Sequence, residues 1–251
     1  MLLTRFIARM DIKGPNLVKG IQLEGLRKIG DPNTFARKYY QQGIDEIIYM
    51  DIVASLYGRN NSLDIVRKTT RDVFIPITVG GGLRNLDDVR AALRSGADKV
   101  AINTALFSNP DLTRQVAETY GSQCMVASIE AKKSTDGRWE AYYDNGRGKT
   151  GVDAVDWAVR LYNLGAGEIL LTSVDQEGTQ KGFDYNLIKA VTNAVNIPVI
   201  VSGGMGTAEH LFQAVNHGAD AVAAAAVLHY NLLTIGSIKE KASACGLAVR
   251  M

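Results

Sequence analysis

The chain has 251 residues, 46% hydrophobic and 22% charged, with 25 glycines and 5 prolines. Those proportions fit one well-packed domain and exclude a disordered, collagen-like or disulfide-built protein. Lys plus Arg number 28 against 26 for Asp plus Glu, a net charge of +2 with no basic run, so neither a nucleic-acid groove nor an anionic membrane surface is an expected partner.

Eight short apolar runs follow one another along the chain: Phe6 to Ala8, Glu46 to Met50, Ile77 to Val79, Val100 to Ile102, Met125 to Ile129, Ile169 to Leu171, Val199 to Val201 and Ala221 to Ala224. Runs this short, rich in branched residues and bounded by Gly, Pro or Asp, read as buried parallel strands. Stretches with helical spacing, such as Leu86 to Leu93 and Glu209 to Val215, lie between them. Strand alternating with helix implies parallel pairing, and eight such units in a chain of this length predict an α/β fold, a (β/α)8 TIM barrel. An internal repeat supports one closed barrel. Gly81-Gly82 and Gly96-Ala97-Asp98 return as Gly203-Gly204 and Gly218-Ala219-Asp220, at an offset of 122 residues in both cases. The expectation is therefore a single domain over 1–251, with half-barrels of about 1–122 and 123–251 that cover each other's sheet edges.

In such a barrel the reactive groups sit at the C-terminal ends of the strands. Asp11, Asp51, Glu130, Asp175 and Glu177 follow apolar runs, and Asp11 and Glu130 occupy equivalent places in the two halves. Two carboxyl groups in different surroundings can divide the roles of acid and base. The same carboxylates could instead cap helices or pair with Lys13 and Lys19. Gly81 and Gly82 with Asn103 and Thr104, and Gly203 and Gly204 with Ala225 and Ala226, would bring backbone N–H groups to the mouth in each half, predicting a ligand with a phosphate at each end. Arg5, Glu46, Lys99 and Glu168 precede or begin strands, which places four alternating charges at the opposite rim, either as a gated ring or as a salt-bridged plug. His210, His217 and His229 match no nucleophile pattern and read as solvated or helix-capping. Cys124 and Cys245 are too scattered for a disulfide framework or a zinc site, no His/Cys/Asp grouping has metal-ligand spacing, and no apolar run approaches the ~20 residues of a spanning helix. A cytoplasmic protein without metal or cofactor is expected.

Asp11-Ile12-Lys13, Val18-Lys19-Gly20, Thr78 to Gly82, Gly96 to Val100, Ile102-Asn103-Thr104, Gly165 to Ser173, Gly178-Thr179 and Ser202-Gly203-Gly204 together resemble the HisF family, the cyclase subunits of imidazole glycerol phosphate synthase, over essentially the whole chain. The resemblance implies a synthase half of a two-subunit glutamine amidotransferase. A partner glutaminase would release ammonia, which travels along the barrel axis to a bis-phosphorylated ribulosyl-formimino substrate that is cleaved and cyclised. It further implies Asp11 and Glu130 as the catalytic pair and Lys19, Asp51, Thr172 and Glu177 in the substrate site. Arg5, Glu46, Lys99 and Glu168 become the ring that admits ammonia, and Asp98 lies on the glutaminase-docking face. Several positions depart from the family pattern: Glu130 and Glu177 stand where Asp is usual, Arg9 replaces a small Cys, Ala226 replaces a Ser, and the first loop reads Gly14-Pro15-Asn16. Arg9 shares a strand face with Asp11, which predicts an ion pair with Asp11 or Glu130. The altered mouth also admits another reading, a diverged HisF-like subunit channelling ammonia for amidination of a surface-polysaccharide sugar, and a third, a non-catalytic phosphate-binding barrel.

Overall fold

Eight parallel strands close on themselves in the computed structural model, which describes residues 3–54 and 62–251. In chain order the strands are β1 (Arg5–Lys13), β2 (Asn16–Ile21), β3 (Glu24–Gly30), β4 (Glu46–Asp51), β5 (Ile77–Gly80), β6 (Lys99–Ile102), β7 (Met125–Lys133), β8 (Trp139–Tyr143), β9 (Gly148–Asp153), β10 (Glu168–Ser173), β11 (Val199–Ser202) and β12 (Ala221–Ala224). The barrel runs β1, β4, β5, β6, β7, β10, β11, β12 and returns to β1, with β7 paired to β10 in parallel. Each expected apolar run is part of one of these eight strands. Closure gives each of the eight strands a neighbour on both sides, so the cylinder has no free edge.

Two apolar layers result from the alternation of side chains along each strand. Phe6, Ala8, Ile47, Val79 and Ile169 face outward and pack beneath the helices, whereas Ile7, Ile48, Ala101, Val126, Leu170 and Ile200 fill the barrel interior. Several helices begin where a side chain satisfies their first N–H groups. Asp31, Asn85, Asp153 and Asp184 accept from Thr34, Asp88, Val155 with Asp156, and Leu187, respectively. At the opposite rim, Asp45, Asp98 and Asp220 each accept a hydrogen bond from a backbone N–H of a neighbouring barrel strand, at Phe6 (2.7 Å), Ile77 (2.8 Å) and Val199 (2.9 Å). These three carboxylates fix strand register. Gly167 takes the equivalent place before β10, because a Cβ there would come within 2.1 Å of the Ser122 carbonyl oxygen.

The sequence reading missed two antiparallel hairpins. β1 continues past its apolar run to Lys13 and pairs with β2, which pairs with β3; β7 continues to Lys133 and pairs with β8, which pairs with β9. Asp11 and Glu130 therefore lie inside long strands rather than just beyond short ones. Both hairpins rise over the same end of the barrel and meet there, where the Asn145 side-chain N–H donates to the Leu23 carbonyl at 3.3 Å.

Candidate active site

The two carboxyl groups stand on opposite walls, four strands apart in either direction around the barrel. Both are buried. Their surroundings push their protonation in opposite directions. Burial by itself would favour the neutral form of Asp11, but the Arg9 guanidinium and Lys19 ammonium outweigh it and hold the carboxyl below its ordinary range. Arg9 Nε donates to Asp11 Oδ1 at 3.0 Å, and Lys19 Nζ lies 3.5 Å from Asp11 Oδ2. Burial dominates at Glu130 and raises its carboxyl to about 7, although the Gly146 N–H donates to Oε2 at 2.7 Å. One group is thus a carboxylate while the other can keep its proton near neutrality, the division that acid–base work requires.

Beside Glu130 opens a cavity of about 270 Å³, lined among others by Asp51, Gly81, Gly82, Arg84, Asn103, Thr104 and Ser108. Gly81 adopts φ +90°, and a Cβ there would meet the Asp51 carbonyl oxygen at 2.0 Å, so only glycine lets the strand turn here. Asn103 donates to the Tyr142 carbonyl while its buried Oδ1 has no partner among the described residues; Thr104 Oγ1 accepts from Asp144 N–H at 3.1 Å and retains its own proton. Unmet acceptor and donor capacity at the wall of a cavity suits a polar ligand. The second half differs. Lys19, Glu177, Gly203, Gly204, Ala225 and Ala226 surround only about 20 Å³. Lys19 is paired there with Glu177 as well as Asp11, and all three are buried, so the first hairpin fills the space that the repeat predicts for an anion. Thr172 stands level with Glu130 in the β7–β10 register; it is fully buried, and its hydroxyl accepts from Arg9 at 2.9 Å.

The sequence leaves open whether Arg9 pairs with Asp11 or with Glu130, and the structure selects Asp11. Glu130 takes its hydrogen bond instead from Gly146, in the turn of the second hairpin, where Asp144 and Asn145 adopt positive φ. That residue escaped the sequence reading, although Asn-Gly between two short alternating segments is a hairpin signal. Arg84 at the cavity escaped it too. Among the histidines, His229 corrects the expectation of solvated or capping rings. It is buried, Tyr39 and its Nδ1 share a hydrogen bond of 2.7 Å, and burial lowers it to about 4.

At the far rim the four charges do form a ring. Arg5 reaches Glu46 at 2.9 Å and Glu168 at 2.6 Å, and Lys99 reaches Glu168 at 2.8 Å and Glu46 at 3.4 Å. Each sits at the first residue of its strand, so all four side chains converge on the axis at one level. Asp98 is exposed at the same rim, with one carboxylate oxygen engaged by Ile77 N–H.

A protein-family model described as a histidine biosynthesis protein matches residues 5–234. A curated protein from Legionella pneumophila, imidazole glycerol phosphate synthase subunit HisF, is 63% identical over 205 residues, 82% of this chain and 97% of its own length. Subunits of the same name from Mycobacteroides abscessus and Thermococcus onnurineus are 47% and 46% identical, covering 98% and 100% of this chain and 98% and 99% of their own lengths. None of the three carries a name tied to polysaccharide amidination, and that reading finds no support. A closed barrel with two facing carboxyl groups, matched by the family model through its whole cylinder and by relatives along its length, places the chain in the HisF family of histidine biosynthesis proteins.

Proposed function

We propose that this chain is the cyclase subunit of a two-subunit glutamine amidotransferase of the imidazole glycerol phosphate synthase type. It would accept ammonia from a glutaminase bound at the Arg5, Glu46, Lys99 and Glu168 rim, near Asp98, and use it at the opposite mouth. The observation that carries this reading is the pair Asp11 and Glu130, two buried carboxyl groups across one barrel mouth with opposite protonation preferences. The names of its relatives and the four-charge ring at the other end of the axis agree with it.

The carboxylate of Asp11 takes a proton from the attacking nitrogen, and the neutral carboxyl of Glu130 gives one to the group that leaves as the formimino linkage is cleaved. One phosphate of the substrate rests in the cavity at Gly81, Gly82, Asn103 and Thr104. The other is assigned to Gly203, Gly204, Ala225 and Ala226, where Lys19 must leave Glu177 before the anion can enter. Supplying ammonium chloride and the bis-phosphorylated ribulosyl-formimino compound to the isolated chain should consume the substrate, and Asp11→Asn should reduce kcat by about 10²- to 10⁴-fold. Absence of turnover both with ammonium and with a glutaminase subunit plus glutamine would sink the reading.

A further inference from the structure

Four consecutive inward positions of β1 are occupied by Arg5, Ile7, Arg9 and Asp11. Arg5 belongs to the rim ring and Ile7 to the apolar filling, and Arg9 is among the largest side chains buried almost completely in the molecule. A guanidinium inside a barrel costs several kcal/mol in lost hydration unless its donors are satisfied, so the partners it finds reveal what it is built to hold. Nε is spent on Asp11 at 3.0 Å. Nη1 crosses the interior to Thr172 on β10 at 2.9 Å and to Ser202 on β11 at 3.3 Å. One planar group therefore ties three strands together directly beneath the carboxylate. Rotation of the Asp11 side chain would break the Nε bond, and movement of Arg9 would break the other two.

We infer that Arg9 is a positioning residue for the proposed reaction: anchored on Thr172 and Ser202, it holds the Asp11 carboxylate in a single ionised orientation facing the mouth. The inference rests on the reading of Asp11 as the base. The other groups around Asp11 do not duplicate this part. Lys19 on β2 divides its charge between Asp11 and Glu177, which follows β10; Glu130 on β7 and Asp51 at the end of β4 are acidic; and His229, on the short helix Ala226–His229, is kept neutral by burial. Arg9 remains charged throughout, because its acidic neighbours outweigh its own desolvation.

The test pairs a direct titration with kinetics on the full chain. Carboxyl ¹³C NMR of aspartate-labelled protein, with the Asp11 signal assigned by its disappearance in Asp11→Asn, reports ionisation without any turnover. Arg9→Met keeps the volume and removes the charge, and it should raise the Asp11 midpoint by at least one pH unit. The acid limb of kcat/KM with ammonium chloride should rise equally, and Arg9→Lys should recover most of the shift. Thr172→Val leaves the charge and removes an anchor. It should lower kcat about 10-fold with KM and the acid limb unchanged, less than the 10²-fold order that a full 1 Å misplacement costs, because Ser202 still holds Nη1. An Asp11 midpoint that stays in place in Arg9→Met, or a Thr172→Val chain with undiminished kcat, overturns the inference. Failure of the wild-type chain to turn over, with the Asp11 midpoint still responding to Arg9, would instead overturn the reaction reading alone.

Discussion

Glu130 carries a consequence for stability that is separate from catalysis. Its carboxyl rises from the ordinary 4.5 to about 7 because burial disfavours the charge. Across that window the folded chain retains a proton that the unfolded chain has released, so this group's contribution is present below about 4.5 and is lost as pH rises through 7. At about 1.4 kcal/mol per pH unit of difference, the loss by pH 8 is on the order of 3 kcal/mol. Glu130→Gln keeps an oxygen for the Gly146 N–H and removes the titration. Urea denaturation at pH 5 and 8 should show the wild type losing more stability between the two than the variant, while turnover of the variant falls about 10²- to 10⁴-fold. A wild-type slope matching the variant's would mean that Glu130 titrates as an ordinary carboxyl. The placement of Asp11 and Glu130 on opposite walls is legible in the sequence, because a repeat places equivalent residues in equivalent positions. The network of Arg9, Thr172, Ser202, Lys19 and Glu177 is not. Its members lie up to 193 positions apart, and only a closed barrel brings them together.

Hairpins and loops were harder to read than the cylinder. A buried parallel strand announces itself as an uninterrupted apolar run, whereas β3 and β9 have no buried residue, few apolar side chains and two glycines each. Their order comes largely from docking over the mouth, a tertiary effect, and the Asn145-Gly146 turn before β9 is the one local signal of it. The C-terminal helix Ile235–Ala244 offers a sharper case. Its Lys239 is buried, with Nζ bound to the Gly43 carbonyl at 2.7 Å and to Asp45 Oδ1 at 2.6 Å, while Asp45 Oδ2 fixes Phe6 of β1. The last helix in sequence is thereby bolted to the first barrel strand. Lys239→Met should cost about 3–5 kcal/mol, since it strands a buried carboxylate, and should lower the urea midpoint without changing the slope. A loss under 1 kcal/mol would show that Asp45 finds a substitute partner. At the mouth, Gly81→Ala meets both a positive φ and the Asp51 carbonyl. It should destabilise the chain by about 1–3 kcal/mol and raise the substrate KM, because the turn and the cavity wall share one backbone.

For the molecule as a whole, the question is whether the far rim is a closure or a passage, an alternative that charge spacing leaves open. Glu46 and Glu168 are buried, and each is shared between Arg5 and Lys99, so every charge in the ring has two opposite neighbours. Lys99→Met leaves two carboxylates competing for one guanidinium, at a cost of about 1–3 kcal/mol discounted for partial exposure. Adding Glu168→Gln removes the surplus charge, and the double variant should recover about 1 kcal/mol or more relative to the summed single losses. That cycle measures the ring as structure and comes out the same for a plug or a passage. The kinetics separate the two. A passage predicts that Lys99→Met changes glutamine-driven turnover of the complex with a glutaminase while leaving ammonium-driven turnover at the mouth intact, because ammonia from solution reaches Asp11 without crossing the rim. A plug predicts equal effects in both assays, since only the stability of the barrel would then connect the ring to chemistry at the other end of the axis.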